Sequence, residues 1–152
     1  MQSLLIGSDH AGYLLKETIK PLLSELGYTI EDAGPHNEES VDYPDFGNYV
    51  SQMVAGGKFD RGILICGTGI GMSMVANRYP EIRAALCNDL FSAIMSRRHN
   101  DANILVMGGR VIGIELAKEI VRAWATTPFE GGRHADRIEK FSRCRRSDDK
   151  TV

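Results

Sequence analysis

Cysteine is scarce in this sequence, and neither its cysteines nor its histidines are spaced as a metal site requires. The three cysteines, Cys66, Cys87 and Cys144, lie far apart and form no C-x-x-C pair. This distribution argues against a disulfide framework and against a zinc ribbon. The four histidines form no H-x-x-x-H or H-E-x-x-H pair, and no dense acidic cluster offers oxygen ligands. We therefore expect that the protein works without a metal ion or another cofactor.

Long apolar runs and an excess of charge of one sign are also missing. No run approaches the roughly 20 residues of a membrane-spanning helix, and the N-terminus has no signal-peptide pattern. The 18 basic and 20 acidic residues give a net charge of -2, which provides no strong attraction to nucleic acid or to a membrane surface. We expect a cytoplasmic protein that binds neither and whose partner is a small molecule.

The chain is long enough for one domain with a substantial core. It has 152 residues, of which 43% are hydrophobic, and a core of that size needs no disulfide or metal ion to stabilise it. We expect a single domain over residues 1–141. Residues 142–152 are too polar to pack and are predicted to form a frayed tail, to which we assign no function.

Short apolar segments alternate with longer amphipathic ones along the chain. Runs rich in Leu, Ile and Val predict strands at 4–7, 28–32, 62–66, 83–87 and 103–107. Apolar residues at helical spacing predict helices at 14–26, 44–54, 72–78, 90–98 and 114–125. Pro21 is expected to kink or restart the first helix, and Gly27 to end it. The alternation indicates a Rossmann-like α/β fold, with a parallel sheet covered by helices on both faces.

The strongest local signal is the segment after the third predicted strand, Cys66-Gly67-Thr68-Gly69-Ile70-Gly71. Ligands of a parallel sheet bind beyond the carboxyl ends of its strands, and a glycine-rich turn there presents backbone N–H groups to an anion. Met72 stands where a dinucleotide fingerprint needs its third glycine, and the lysine of a P-loop is absent. The turn is predicted to bind a phosphate or a charge that develops during reaction. Alternatively, the glycines only let strand and helix pack closely.

Cys66 begins this turn, and its position favours a chemical role. A single cysteine is often just a small buried hydrophobic residue. A thiol beside exposed N–H donors at the start of a helix, however, is readily ionised and can act as a base or a nucleophile. Cys87 also ends a predicted strand, but no glycine-rich turn follows it, and Cys144 lies in the polar tail. We interpret both as structural.

Polar residues elsewhere are further candidates for the site. Asp9 and His10 directly follow the first predicted strand, although Asp9 is nearly as well explained as a helix N-cap. His99 follows the fourth predicted helix, where the helix dipole accounts for the neighbouring arginines but not for a histidine. Arg133 and Arg137 are four residues apart at the predicted start of a helix, a spacing that suits a phosphate. Such pairs are also common on solvated surfaces.

Together these residues resemble the type B ribose-5-phosphate isomerases, a family that also includes allose-6-phosphate and galactose-6-phosphate isomerases. The resemblance covers nearly the whole chain and rests on several motifs in one order. One branch of the family has a glutamate after the third glycine of the turn; Met72 stands there in this chain, which indicates the cysteine branch. The motifs are Ser8-Asp9-His10-Ala11-Gly12, Asp42-Tyr43-Pro44, residues 62–71, Ala76-Asn77, residues 97–103, Gly108-Gly109-Arg110 and residues 130–134.

The resemblance implies a three-layer α/β/α sandwich around a five-stranded parallel sheet. It implies an isomerase that interconverts ribose 5-phosphate and ribulose 5-phosphate through an enediolate, with allose 6-phosphate or another six-carbon sugar phosphate as the alternative substrate. Cys66 would be the base, His99 would open the sugar ring, and Thr68 is the third catalytic candidate. The implied substrate-binding residues are Asp9, His10, Tyr43, Gly67, Thr68, Gly69, Ile70, Gly71, Asn100, Arg110, Arg133, His134 and Arg137.

The resemblance also implies a homodimer or homotetramer with active sites shared between subunits. Topology supports this independently. His99 follows a helix, and a helix of a βαβ unit runs opposite to its strand. His99 is therefore expected at the end of the sheet opposite to the carboxyl ends of the strands, where ligands bind. A twofold partner could bring its own copy across to the Cys66 turn.

Two other classes of function remain open from the residues alone. A nucleotide-binding or regulatory module would hold a phosphate at the glycine turn without turnover, and it would leave Cys66 without a role. A thiol redox protein would use Cys66 as a sensor, but no resolving cysteine lies nearby in the sequence.

Overall fold

A computed structural model describes residues 2–141, and its centre is one parallel β-sheet. The strands lie in the order β2-β1-β3-β5-β4, and every neighbouring pair is parallel. This sheet confirms the predicted α/β fold class. The five strands are β1 (Ser3–Ser8), β2 (Thr29–Asp32), β3 (Arg61–Cys66), β4 (Ala84–Leu86) and β5 (Ile104–Gly108).

Six α-helices and a short 3-10 turn at His10–Gly12 connect and follow these strands in the described part of the chain. None of these helices combines the length and the apolar character that a membrane crossing needs. The α-helices are α1 (Tyr13–Glu25), α2 (Tyr43–Ala55), α3 (Ile70–Ala76), α4 (Leu90–Arg98), α5 (Ile114–Thr126) and α6 (Arg133–Ile138).

Two hydrophobic cores, one on each face of the sheet, make the molecule a three-layer sandwich. Helices α1, α4 and α5 pack on one face, where Trp124 of α5 is fully buried, and α2 and α3 pack on the other. Side chains of a strand alternate between the two faces, so Leu4 and Ile6 enter the first core and Leu5 the second. Burial on both faces explains why the central strands are almost continuously apolar.

The strand order changes direction between β1 and β3. These strands are neighbours, with Ser8 opposite Ile65, while β2 lies on the far side of β1. The connections after β1 and β3 therefore diverge, and the carboxyl ends of two such strands are where open parallel sheets usually bind their ligands. Asp9 and Cys66 both lie at this position.

The ends of the helices differ from the sequence-based boundaries in informative ways. Helix α1 runs without interruption from Tyr13 to Glu25 with Pro21 inside it, so of the two predicted effects of this proline, a kink or a restart, the restart does not occur. Gly27 adopts a positive φ of 87° directly after the helix. The Gly27 and Tyr28 N–H groups donate to the carbonyls of Ser24 and Leu23, which is the Schellman arrangement expected of a C-terminal glycine.

Candidate active site

Three loops meet at the carboxyl ends of β1, β3 and β5, and glycines allow their backbones to approach. A Cβ atom on Gly12 would lie 2.5 Å from the Ile65 carbonyl oxygen, and one on Gly109 would lie 2.7 Å from the Ala11 oxygen. The Asp9 N–H donates to Ile65 O at 3.0 Å, and the Gly109 N–H donates to Cys66 O at 2.8 Å. The three loops that were predicted to share one site are thus in direct backbone contact.

Cys66 is the last residue of β3, and its sulfur faces the glycine-rich turn. The thiol is buried, with 4% of the residue exposed, and it is free of any disulfide. Its Sγ accepts a hydrogen bond from the Gly69 N–H at 3.2 Å. This contact places the sulfur directly beside the backbone donors of the turn, at the end of the strand.

The glycines of the turn serve packing as well as binding. Gly69 has a φ of 79°, and a Cβ there would lie 2.4 Å from the Leu86 side chain. A Cβ on Gly71 would lie 2.6 Å from the Tyr43 ring. Gly67, in contrast, would make only ordinary contacts at 3.8 Å, one of them with the Arg110 side chain. The packing interpretation therefore holds for Gly69 and Gly71, and Gly67 has no such steric explanation.

Two side chains of the turn are exposed above the thiol. Thr68 and Ile70 are both solvent-accessible, and Thr68 Oγ1 accepts a hydrogen bond from the Ile70 N–H at 3.2 Å. Because Oγ1 is already an acceptor in that bond, its own proton remains available to a ligand. Arg110 is exposed beside the turn, and its backbone N–H donates to Gly67 O at 3.0 Å.

Asp9 and His10 border the same crevice. Asp9 is buried, and its Oδ1 accepts from the Gly12 N–H at 3.0 Å, so the N-cap alternative for this residue is observed. His10 Nδ1 accepts from the Val41 N–H at 3.3 Å. A backbone N–H can only donate, so a neutral His10 carries its proton on Nε2. His10 is therefore held as a donor toward the crevice edge.

The second described cysteine is placed for a different role. Cys87 follows β4 and is buried in the core. Burial raises the pKa of its thiol to about 11, although a hydrogen bond involving Ser96 opposes the shift. Cys87 therefore stays protonated near neutral pH, in keeping with its structural interpretation. Cys144 and the predicted tail lie outside the described residues.

A second group of site candidates surrounds His99, which caps the C-terminus of α4. The His99 and His134 rings are stacked with centroids 4.1 Å apart and planes 7° from parallel. Glu130 Oε2 lies 3.9 Å from His99 Nε2 and 3.7 Å from His134 Nε2. Burial lowers the pKa of His134, and the neighbouring His99 and Arg133 lower it further. His134 is therefore disposed to remain neutral, as a hydrogen-bonding group rather than a cation.

Arg133 and Arg137 both lie on α6, as predicted, and both are exposed. Residues four apart on a helix project from the same face, so the two guanidinium groups form a cationic surface beside the stacked histidines. An anion that binds there meets two forked donors. Asn100, also exposed, follows His99 directly.

Within one chain, the His99 group and the Cys66 turn lie at opposite ends of the sheet. The residues after His99 contact the amino ends of the strands: Asn103 O accepts from the Gly62 N–H at 2.9 Å, and Arg83 Nε donates to Asn100 O at 3.0 Å. Cys66 is four residues beyond Gly62 on β3, which is about 13 Å at the usual rise of a strand. One chain therefore brings together two separate sets of the predicted site residues.

We call the first set the Cys66 cluster and the second the His99 cluster. Sequence reasoning did not identify the contact of Glu130 with both histidines, although its four-residue spacing from His134 was a usable signal. The hydrogen bond from Val41 to His10 had no signal in the sequence. The Cys66 cluster contains Asp9, His10, Tyr43, Cys66, Gly67, Thr68, Gly69, Ile70, Gly71 and Arg110, and the His99 cluster contains His99, Asn100, Glu130, Arg133, His134 and Arg137.

Comparison with known proteins gives one consistent family. The model of the ribose/galactose isomerase family matches residues 4–141. The chain is 48% identical over 142 residues to ribose-5-phosphate isomerase B of Escherichia coli (strain K12), covering 93% of this chain and 95% of that protein. It is 46% identical over 143 residues to the D-erythrulose-4-phosphate isomerase of Pectobacterium atrosepticum, covering 93% of each.

Solved structures show the same fold at high sequence identity. The ribose-5-phosphate isomerase B of Clostridium thermocellum superposes with a TM-score of 0.91 at 53% identity, covering 93% of this chain and 96% of the other. The Trypanosoma brucei type B enzyme superposes with a TM-score of 0.91 at 44% identity, covering 95% and 99%. The chain therefore belongs to the ribose/galactose isomerase family, among the type B ribose-5-phosphate isomerases, and is a sugar-phosphate isomerase.

Proposed function

We propose that this protein interconverts ribose 5-phosphate and ribulose 5-phosphate, with Cys66 as the base that moves a proton between C1 and C2. The observation that carries the proposal is the hydrogen bond from the Gly69 N–H to Cys66 Sγ, which holds the sulfur beside the backbone donors of the turn at the strand end where ligands bind. The names of the Escherichia coli and Clostridium thermocellum relatives support ribose 5-phosphate as the substrate.

Ring opening comes first, because only a free carbonyl makes the neighbouring C–H acidic. In our proposal His99 gives a proton to the ring oxygen, the bond from that oxygen to C1 breaks, and the C1 hydroxyl gives its proton to a water molecule. The product is the open-chain aldehyde, and His99 regains a proton from solvent. His134 and Glu130, which contact His99, hold its ring in place.

Isomerisation then follows through an enediolate. The Cys66 thiolate removes the proton from C2, and negative charge develops on O1, where backbone N–H groups of the turn can stabilise it. The thiol returns the proton to C1, the O2 proton moves to O1, and a ketone forms at C2. The Thr68 hydroxyl, whose proton is available, is a donor to these oxygens.

We further propose that the active site is completed by a second subunit, in a homodimer or homotetramer. The separation of the His99 cluster from the Cys66 cluster within one chain supports this arrangement. Exposed apolar side chains at the carboxyl edge of the sheet also favour a partner there, since an apolar patch of this kind is typical of an interface. These side chains are Ile70, Leu90, Phe91, Val111 and Ile114, with exposed fractions of 49%, 41%, 72%, 54% and 48%.

The length of the substrate needs its own test, because relatives with similar identity carry different names. One relative is named for D-erythrulose 4-phosphate, and allose 6-phosphate is the six-carbon alternative. We expect the ratio of kcat/KM values to favour ribose 5-phosphate over both. A higher kcat/KM for either competitor would replace the substrate while leaving the isomerisation chemistry in place.

The role of Cys66 is tested by Cys66→Ala. We expect isomerisation to fall to the background rate while the affinity for ribose 5-phosphate, measured by calorimetry, changes little, because Cys66 acts on the reaction and the phosphate is bound elsewhere. Cys87→Ala is the matched control and is expected to retain turnover. Substantial turnover in the Cys66 variant would remove this thiol from the mechanism.

A further inference from the structure

We propose that His99, Glu130 and His134 form a binding site for one borderline-soft divalent cation, of which Zn²⁺ is the type. The sequence contains no pair of histidines at a metal-binding spacing, yet the fold brings two imidazoles and a carboxylate together from the end of α4 and the start of α6. One ligand atom from each residue lies within 4.8 Å of the other two.

The separations are those of ligands around one ion rather than those of hydrogen bonds. Glu130 Oε2 is 3.9 Å from His99 Nε2 and 3.7 Å from His134 Nε2, beyond ordinary hydrogen-bond length. Ligands at about 2.0 to 2.2 Å from a tetrahedral zinc ion lie about 3.4 Å from one another. The three atoms are therefore already near the spacing of zinc ligands. Binding one ion also requires a ring to rotate, because the lone pair of each Nε2 lies in its ring plane and the two planes are 7° from parallel. The fourth position is left to water.

The three side chains are held in this arrangement before any ion binds. The Glu130 N–H donates to Arg98 O at 3.1 Å, and Arg98 Nε lies 3.6 Å from Glu130 Oε1, so the other oxygen is left to face the rings. His134 is buried, with 6% of the residue exposed. Both Nε2 atoms lie near the same Glu130 oxygen. The buried His134 is held in place, and the partly exposed His99 ring is the one that can rotate out of the stack toward the ion. A ligand that is already fixed loses little entropy when it binds an ion.

Bound zinc would inhibit the enzyme rather than assist it. This consequence rests on the proposed function of His99: an imidazole whose Nε2 holds an ion cannot carry a proton on that atom to the ring oxygen. Arg133 and Arg137 would then face a cation where the substrate phosphate is proposed to bind. The site is thus a means by which free zinc lowers the rate.

Isothermal titration calorimetry of metal-free, full-length protein with zinc chloride at about pH 7.5, where unperturbed histidines are mostly neutral, tests binding directly. We expect one ion per subunit. Replacing one ligand, in His134→Ala or Glu130→Gln, should weaken binding at least about tenfold. His36→Ala removes an exposed histidine outside the cluster and should leave the affinity unchanged. Circular dichroism checks that each variant is folded. If the His134→Ala variant does not fold, the Glu130→Gln variant still tests the site, because Glu130 is exposed.

Binding that is equally strong in Glu130→Gln and the wild type, or absent from the wild type, would overturn the site. A separate assay tests inhibition. Zinc should lower the wild-type rate, and a chelator should restore it. The zinc concentration for half-inhibition, relative to each protein's own zinc-free rate, should be at least about tenfold higher in Glu130→Gln. If zinc binds at this cluster but leaves the rate unchanged, the binding site stands and the proposed role of His99 fails.

Discussion

At the scale of single residues, Cys66 and Cys87 are both buried, but their surroundings differ. Cys66 Sγ accepts a hydrogen bond from a backbone N–H at the crevice, whereas burial in the core raises the pKa of Cys87 to about 11. The thiolate is the species that reacts with alkylating agents. The different surroundings of Cys66 and Cys87 should therefore give the two thiols different reactivity.

We expect iodoacetamide at about pH 8 to alkylate Cys66 well before Cys87 in the native protein, because the raised pKa keeps Cys87 protonated far above that pH. Peptide mass spectrometry at timed intervals measures the two rates, and a denatured sample, in which both thiols should react alike, is the control. Modification of Cys87 at the rate of Cys66 would contradict the difference between the two environments.

The two arginines of α6 are the second prediction at this scale. Arg133→Ala or Arg137→Ala should each remove a charge-assisted hydrogen bond to the phosphate, at a cost of about 1.5 to 3 kcal/mol. The loss should appear as a roughly 10- to 150-fold weaker affinity for ribose 5-phosphate by calorimetry. Replacement by Lys should also weaken binding, since a point charge cannot reproduce the fork.

The matched control is Arg122→Ala on α5. Arg122 is similarly exposed, with Nε 3.6 Å from Glu119 Oε1 on the same helix, and an isolated surface pair of this kind contributes little to stability. Its removal should leave affinity unchanged. If the α6 variants bind as well as this control, Arg133 and Arg137 are only a solvated charged face.

At the scale of elements, a buried lysine joins α1, β2 and the loop that follows. Lys16 is completely buried, and its Nζ donates to Asp32 Oδ1 at 2.6 Å and to Pro35 O at 2.6 Å. Lys20 donates to Asp32 Oδ2 at 2.7 Å. The loop held by Lys16 leads to Val41, which contacts His10. The ion pair thus positions one wall of the crevice.

Asp32→Asn should destabilise the protein at pH 7 by about 3 kcal/mol, because the buried Lys16 would lose its nearest counter-charge. Burial alone would raise the Asp32 pKa, but hydrogen bonds from Lys16 and Lys20 outweigh it and lower the pKa below its usual value. A lowered folded-state pKa contributes stability above the unfolded-state value of about 3.9, and this contribution is lost as the pH falls through the folded-state value.

Urea unfolding at pH 7 and at lower pH measures this effect. The wild type should lose stability on acidification below about pH 4, and the Asn variant should lose less, so that the two curves converge. Glu17→Gln is the control, because Glu17 is more exposed and lies 3.5 Å from Lys16, and it should cost well under 1 kcal/mol. Curves that stay parallel down to acid pH would show that Asp32 is not the group responsible.

The turn after α4 is the other element whose geometry needs explanation. Asp101 has a positive φ of 45°, which is uncommon for a residue other than glycine. Its carboxylate is held by Arg83 at 2.9 Å and by Arg97 at 2.9 Å, and buried Arg97 also donates to Ala102 O at 2.6 Å. These contacts hold in place the short segment that carries His99 and Asn100.

At the scale of the whole molecule, the shared site is tested by complementation. Cys66→Ala and His99→Ala proteins, each inactive alone, are mixed in equal amounts and refolded together. If each active site takes Cys66 from one chain and His99 from the other, a mixed dimer has one intact and one doubly defective site. Random pairing should then restore roughly a quarter of wild-type activity under twofold symmetry.

Each variant refolded by itself is the control, and native mass spectrometry verifies that mixed dimers have formed. Absence of recovery in a sample that contains them would place both residues in the same active site of one chain. The exposed apolar side chains at the carboxyl edge, such as Phe91 and Val111, give a second route to the same question. Their replacement by charged residues should weaken the association of the subunits.

The sequence by itself determined the layers of the fold and the strand ends at which the candidate residues of the Cys66 cluster lie. Strand and helix periods differ, so the alternation of elements can be read directly from the positions of apolar residues. In a parallel sheet the residues after each strand share one edge, which is why Asp9, His10 and the Cys66 turn could be assigned to one site. Gly27 was a local signal too, since its positive φ ends α1.

Only the tertiary structure decided which side chains touch and which sites lie apart. Three contacts join segments that only the packing of several elements brings together. They are the stacking of His99 on His134, the approach of Glu130 to both rings, and the bond from Lys16 to Asp32. Helix α1 continues through Pro21, although local propensity predicted a kink or a restart there. Local patterns act over a few residues, whereas these distances are set by how the helices pack across the whole sheet.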